Sequence, residues 1–141
     1  IIKNGTVGVY CDTIPGEPTS ENVTISKTMI RNMSFDGVAG RGSRIVMQNS
    51  IAADCGRYTF LAQEGGDYYI RNSTFYTGRI GSARNNQTFG YTNRTRDPVT
   101  NRVLAVYPIR YDFRNNIIYG TNRGSNTYVW GFDFRVRWIH F

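Results

Sequence analysis

Four segments of this 141-residue chain share one order of side-chain types, and that order constrains the fold more than any other feature. They are "MIRNMSFDG" around Asn32, "VMQNSIAAD" around Asn49, "YIRNSTFYTG" around Asn72 and "DFRNNIIYG" around Asn115. Two residues before each Asn stands Ile30, Met47, Ile70 or Phe113. One residue before stands Arg31, Gln48, Arg71 or Arg114. Three residues after stands Phe35, Ala52, Phe75 or Ile118. The asparagines are 17, 23 and 43 residues apart, the last interval being close to two periods. A period of roughly 20–25 residues belongs to solenoids. The leucine ladder and helical half of a leucine-rich repeat are missing, which leaves a parallel β-helix.

The physics of stacked coils accounts for the order. Short strands of successive coils pair in parallel about 4.8 Å apart, with apolar side chains stacked inward and long polar ones outward. The bend between strands needs a residue that tolerates left-handed backbone, and Asn does. Ile70 and Phe75 are therefore predicted to face inward, Arg71 outward, and Asn72 to mark a bend. The four asparagines are expected to lie over one another, with their amides bonding in a ladder. About six coils would stand roughly 30 Å tall.

Other β-rich runs fill the intervals: "TVGVY" (6–10), "NVTIS" (22–26), "SRIVM" (43–47), "RYTFLAQ" (57–63), "NQTFGY" (86–91), "RVLAVY" (102–107) and "TYVWGFDF" (127–134). Residues 1–141 are expected to form a single all-β domain, with insertion loops near 12–21 and 77–101. Insertions on a solenoid often emerge on one face and bind there. The second is rich in Arg, so Arg79, Arg84, Arg94, Arg96 and Arg102, with Tyr91 on the strand between, are the candidate binding residues. Tyr68, Tyr69 and Tyr76 are further candidates for stacking on sugars.

The net charge is +7, carried almost entirely by arginine, since Lys3 and Lys27 are the only lysines. Arginine suits bidentate contacts with carboxylate or phosphate. The balance favours an anionic partner: an acidic glycan, a phosphorylated lipid headgroup, nucleic acid or an acidic protein, of which nucleic acid is the one not expected. Cys11 and Cys55 fall at different points of their coils and read as two unbridged thiols. No apolar run is long enough for a transmembrane helix. Both ends of the sequence read as the middle of something, so a fragment of a longer chain is expected.

Catalysis finds little support. The ten acids are mostly isolated, with no Asp-Asp or Asp-x-Asp pair to hold calcium or to flank a glycosidic bond. Glu64 and Asp67 come closest, but "QEGGD" reads as a turn. The single histidine, His140, makes neither a triad nor a metal site. No catalytic residue, metal site or cofactor is assigned. The Arg31, Arg71, Arg114 stripe is expected to be an outward solubilising row.

"ADCGRYTFLAQEGGDYYIRNSTFY" (53–76) and "RYDFRNNIIYGTNRGSN" (110–126) resemble segments of the right-handed parallel β-helix repeat proteins of Bacteroidota, and "NGTVGVY" and "SENVTISKTMIRNMSFDGV" look like earlier coils of that family. The resemblance implies a right-handed, single-stranded β-helix at the cell surface, often an outer-membrane lipoprotein anchored outside the visible sequence. It also implies a place among glycan-handling or export assemblies, as a non-catalytic binding module whose partner is an anionic polysaccharide, lipopolysaccharide phosphate or another envelope protein, or as an accessory subunit. A third implication is a polysaccharide lyase or glycosidase with its catalytic coils outside this fragment. "DTI" (12–14) is similar to the O-glycosylation acceptor of that phylum, which would put a sugar on Thr13.

Overall fold

The computed structural model describes residues 1–13, 22–77, 87–92 and 94–120, which form fifteen strands and no helix. Three parallel sheets hold thirteen of the strands. The first contains, in neighbour order, β1 (Ile2–Lys3), β4 (Met29–Arg31), β7 (Ile51–Ala53), β10 (Thr74–Thr77) and β15 (Ile117–Gly120). The second contains β11 (Gln87–Thr92), β8 (Tyr58–Gln63), β5 (Val38–Arg41) and β2 (Val9–Asp12). The third contains β14 (Ile109–Arg114), β9 (Gly66–Arg71), β6 (Arg44–Gln48) and β3 (Asn22–Ser26). The chain visits the sheets in fixed rotation, and each strand pairs with the strand met one visit later. One excursion interrupts the rotation: between β11 and β14, strands β12 (Arg94–Arg96) and β13 (Val103–Val106) pair antiparallel as a hairpin.

Parallel register turns the period into columns of like residues. Ile25, Met47, Ile70 and Phe113 are successive partners, as are Val23, Ile45, Tyr68 and Tyr111. Ile30, Ala52, Phe75 and Ile118 make a third column, and Val9, Val38, Phe60 and Phe89 a fourth. Their central members form one continuous core between the three sheets. Each large apolar side chain buried there contributes about 1.5–3 kcal/mol. Where Tyr68 fills the interior, its partner column leaves room: a Cβ on Gly40 would lie 2.9 Å from the Tyr68 ring and 2.8 Å from Ile45 Cδ1. Ile70 and Phe75 are fully buried, Arg71 is exposed, and Asn72 has a φ of 48°, as the repeat required.

The asparagine column differs from expectation in one member. The bend from the third sheet to the first holds Lys27, Asn49, Asn72 and Asn115, all left-handed at φ 48–53°. Asn32 sits at another bend, leaving the first sheet, stacked with Asn4 and Asp54 at φ 61° and 51°. Ile30 accordingly belongs beside Ala52 and Phe75, and Phe35 is exposed. The physical reason is that both bends end a short parallel strand in a left-handed residue. The string Ile-Arg-Asn satisfies either, and the 17-residue interval was two different bends compared. The 22- and 23-residue separations of Thr28, Ser50 and Ser73 give the true period.

The side-chain ladder also sits one residue beyond the asparagines. Thr28 N–H donates to Ser50 Oγ at 3.1 Å, Ser50 N–H to Ser73 Oγ at 3.3 Å, and Ser73 N–H to Asn116 Oδ1 at 2.9 Å. Ser50 and Ser73 in turn donate to the carbonyls of Gln48 and Arg71, and Asn116 Nδ2 donates to that of Ile70. Buried backbone donors at the bend are thereby satisfied, as a left-handed turn inside a core demands. The Asn side chains at 49, 72 and 115 lie outside this ladder, at the surface side of the bend.

Candidate functional site

The outer faces of the sheets hold arginine against acid. On the third sheet Gln48, Arg71 and Arg114 are consecutive partners, so the expected stripe exists there, whereas Arg31 lies on the first sheet between Lys3 and Ala53. Asp112 is gripped by both of its arginines: Arg71 Nη2 donates to Oδ2 and Arg114 Nε to Oδ1, each at 2.6 Å. Hydrogen bonds from Arg71, then from Arg114, hold the Asp112 carboxyl below its ordinary value. Beside them Arg110 faces Asp67 at 3.8 Å, and the Arg44 guanidinium lies 5.1 Å above the Tyr69 ring. Gly66, Asp67, Pro108, Ile109 and Arg110 line an open groove of about 280 Å³.

On the second sheet Arg41 bridges two carboxylates, with Nε 2.7 Å from Glu64 and Nη1 3.9 Å from Asp12. Tyr10 donates to Asp12 at 3.1 Å. Among the described residues Asp36 is the most enclosed acid, only 1% exposed. It accepts Arg57 through both carboxylate oxygens and the Tyr58 backbone N–H at 3.2 Å, while the guanidinium stacks 3.8 Å from the Phe35 ring. These carboxylates act as acceptors that fix arginines in place. Glu64 and Asp67 serve different arginines, and Glu64 takes a left-handed conformation at the turn between β8 and β9. Among the described residues no three His, Cys, Asp or Glu side chains gather to hold a metal, and no helix is long and apolar enough to cross a membrane.

The Asp112 pair gives a pH expectation with a definite sign. A carboxyl whose folded pKa lies below its unfolded one contributes stability above the unfolded value, near pH 4, and that contribution fades as pH falls through the folded value. The urea midpoint of the native protein should therefore decline below about pH 4 more steeply than that of Asp112→Asn. Equal declines would show that the pair does not couple to folding.

The candidate binding residues divide. Arg79 and Arg84 lie outside the described residues, as does His140. Tyr91 and Arg94 are placed by their strands, β11 and β12. Arg96 and Arg102 sit on the exposed hairpin, at the two sides of its turn. There Asp97 Oδ1 accepts the backbone N–H groups of Val99 and Thr100 at 2.9 and 2.7 Å, and Arg96 Nη1 donates to the Asn101 carbonyl at 2.8 Å. Those hydrogen bonds, first from Thr100 and then Val99, lower the Asp97 pKa and keep it an anion used by its own turn. Among the described residues neither Arg96 nor Arg102 has a carboxylate partner, unlike Arg41, Arg57, Arg71, Arg110 and Arg114.

Thr13 and the tyrosines land elsewhere than a surface reading suggests. Thr13 is buried, its hydroxyl donating to the Arg41 carbonyl at 3.0 Å. Tyr68 is a core residue whose hydroxyl lies 3.1 Å from the carbonyls of Gly40 and Gly65, so it presents no face to a sugar. Tyr69 is half-buried under Arg44, and Tyr76 stacks on Tyr119 with ring centroids 5.7 Å apart. Apart from Arg114 and Asp112, which are two residues apart, the arginine–carboxylate pairs escaped sequence reasoning because their members are 21 to 43 residues apart. The signal available was the column position of each acid once the true period was in hand.

Both cysteines are reduced and buried. Burial pushes the Cys55 thiol up to about 11. A thiol reagent at pH 8 should therefore modify neither cysteine in the native protein, and both in denaturant. Rapid native labelling of Cys55 would contradict its placement.

No family model, no curated protein and no solved structure matches this chain.

Proposed function

We propose that this chain is a right-handed parallel β-helix of about six coils that serves as a non-catalytic binding module, engaging an anionic glycan through the arginines of the excursion after β11. The rotation of the chain through three parallel sheets supports the helical architecture, and the near-universal handedness of parallel crossovers supports its hand. One observation carries the binding site. Arg41, Arg57, Arg71, Arg110 and Arg114 are matched to acids, Arg44 lies over Tyr69 and Arg31 stands singly on the first sheet, whereas Arg96 and Arg102 both project from one exposed hairpin with no carboxylate across from them among the described residues. Guanidinium groups in that state recognise carboxylate or sulfate in bidentate fashion. The acids' service as arginine acceptors favours binding over hydrolysis. A cell-surface location, with the anchor outside this sequence, accords with such a ligand.

The test is retention on an immobilised acidic polysaccharide. The chain should be retained at low ionic strength and released by salt, since exposed charges more than a Debye length apart are screened. Replacing Arg96 and Arg102 together by Ala should move elution to clearly lower salt, while Arg44→Ala should change it little. Equal elution of all three proteins would refute the hairpin as the site.

An accessory-subunit reading has its own support. Among the described residues strand β15 is the last of its sheet, with Ile117, Ile118 and Tyr119 exposed, and an apolar edge strand favours a docked neighbour. Co-purification with an envelope partner at fixed stoichiometry would favour it.

A further inference from the structure

The hairpin carries more than charge. Val99 at its turn is 90% exposed, and Leu104 and Val106 on β13 are each 61% exposed. Leu104 and Val106 alternate along the strand and so share one face, with Arg94 the cross-strand partner of Val106. The open Val99, Leu104 and Val106 belong to one short hairpin that also carries arginines, and apolar exposure gathered on a single element marks a docking surface. Arg96 and Arg102 bracket the turn that holds Val99. This is the composition of an element that sits at a membrane interface: aliphatic groups enter the acyl boundary while guanidinium groups stay with headgroup phosphates.

We propose that the β12–β13 hairpin docks on an anionic lipid surface, with Val99, Leu104 and Val106 inserted and Arg96 and Arg102 on the headgroups. The occupant is chosen by charge complementarity. The chain carries +7 overall, and the one acid of the turn, Asp97, is engaged by two backbone N–H groups. An acidic polysaccharide would use the arginines and leave the aliphatic groups wet, whereas a lipid surface uses both. The inference rests on the hairpin being the binding element, as proposed above, and goes beyond that reading by assigning it a lipid surface as partner.

The framework supplies a clean reporter. Cys11 and Cys55 are buried, so Val99→Cys can be labelled selectively in the native protein with an environment-sensitive fluorophore. The experiment is cosedimentation of the full chain, and emission of the labelled variant, with vesicles of phosphatidylcholine alone or mixed with phosphatidylglycerol. Binding and a blue shift are expected with the mixed vesicles only. Each of Arg96→Gln and Arg102→Gln should weaken partitioning about fivefold. The double variant Leu104→Ser, Val106→Ser should weaken it roughly tenfold or more. All variants alter exposed side chains, and circular dichroism checks that they fold.

Vesicle binding that survives the serine substitutions without a blue shift would overturn insertion. Binding to soluble acidic polysaccharide through Arg96 and Arg102, with no binding to mixed vesicles, would overturn the lipid partner and leave the glycan reading intact. Binding to neither would overturn both. Capture by a protein partner with no affinity for mixed vesicles would likewise overturn the lipid assignment.

Discussion

Phe60→Ala should lower the stability of the fold by about 3–5 kcal/mol, the largest effect expected of a side-chain truncation here. Phe60 is fully buried where the three sheets meet. Its ring stands edge-on to Tyr68 and Phe75, with centroids 5.7 and 6.2 Å away, and tilted to Phe89 at 5.9 Å. Removing it takes away the common neighbour of one ring from each of three columns, and those columns are held by backbone pairing that cannot close the gap. Urea unfolding followed by circular dichroism measures the loss. Ile51→Ala, at a partly exposed outer position, is the comparison and should cost far less. A Phe60→Ala cost below about 1 kcal/mol would mean that the rings do not form one core.

Gly66→Ala should be nearly as damaging, for a backbone reason. Gly66 has a φ of +113°, a region that side chains with a Cβ rarely enter. A Cβ there would also lie 2.3 Å from the Ser43 carbonyl oxygen, which accepts the Asp67 N–H at 3.1 Å. Relief requires moving β9 off β6 at the start of their register, so conformational strain and lost pairing add to about 3 kcal/mol or more. Gly5→Ala is the matched control, because its Cβ would meet nothing closer than Met33 Sδ at 3.5 Å. Gly5→Ala should shift the midpoint by well under 1 kcal/mol. Equal shifts for the two variants would show that the turn after β8 relaxes freely.

The parts of this structure that a reader of the sequence can recover are those that recur at a fixed offset each time the chain returns to a sheet. Asn49, Asn72 and Asn115 are such a set, and with them came the inward Ile70 and Phe75 and the outward Arg71. Asn32 misled because two bends share one backbone requirement, and Lys27, which completes the true column, is not a residue that advertises a left-handed conformation. The serine ladder was visible as Ser50 and Ser73 directly after their asparagines, but its meaning needed register. Strand β5 is hidden by its Gly and Ala, and at Gly40 the Tyr68 and Ile45 side chains occupy the space a Cβ would take. The arginine content of the 92–101 stretch was plain, yet its antiparallel pairing with Val103–Val106 was not, since a bulge between Thr95 and Arg96 breaks the alternation. At the candidate site the sequence identified the charges. It could not distinguish those already matched by Asp36, Glu64 or Asp112 from those left facing outward.

The hairpin leaves the framework after Thr92, and on its far side β14 meets β9 over six consecutive residues, Ile109 to Arg114, with no shift of register. Nothing in that pairing depends on what the intervening chain contains. The excursion can therefore be lengthened, shortened or exchanged while the rungs above and below keep their partners, which makes it a natural port for grafting foreign peptide loops and the place where kindred sequences should diverge fastest.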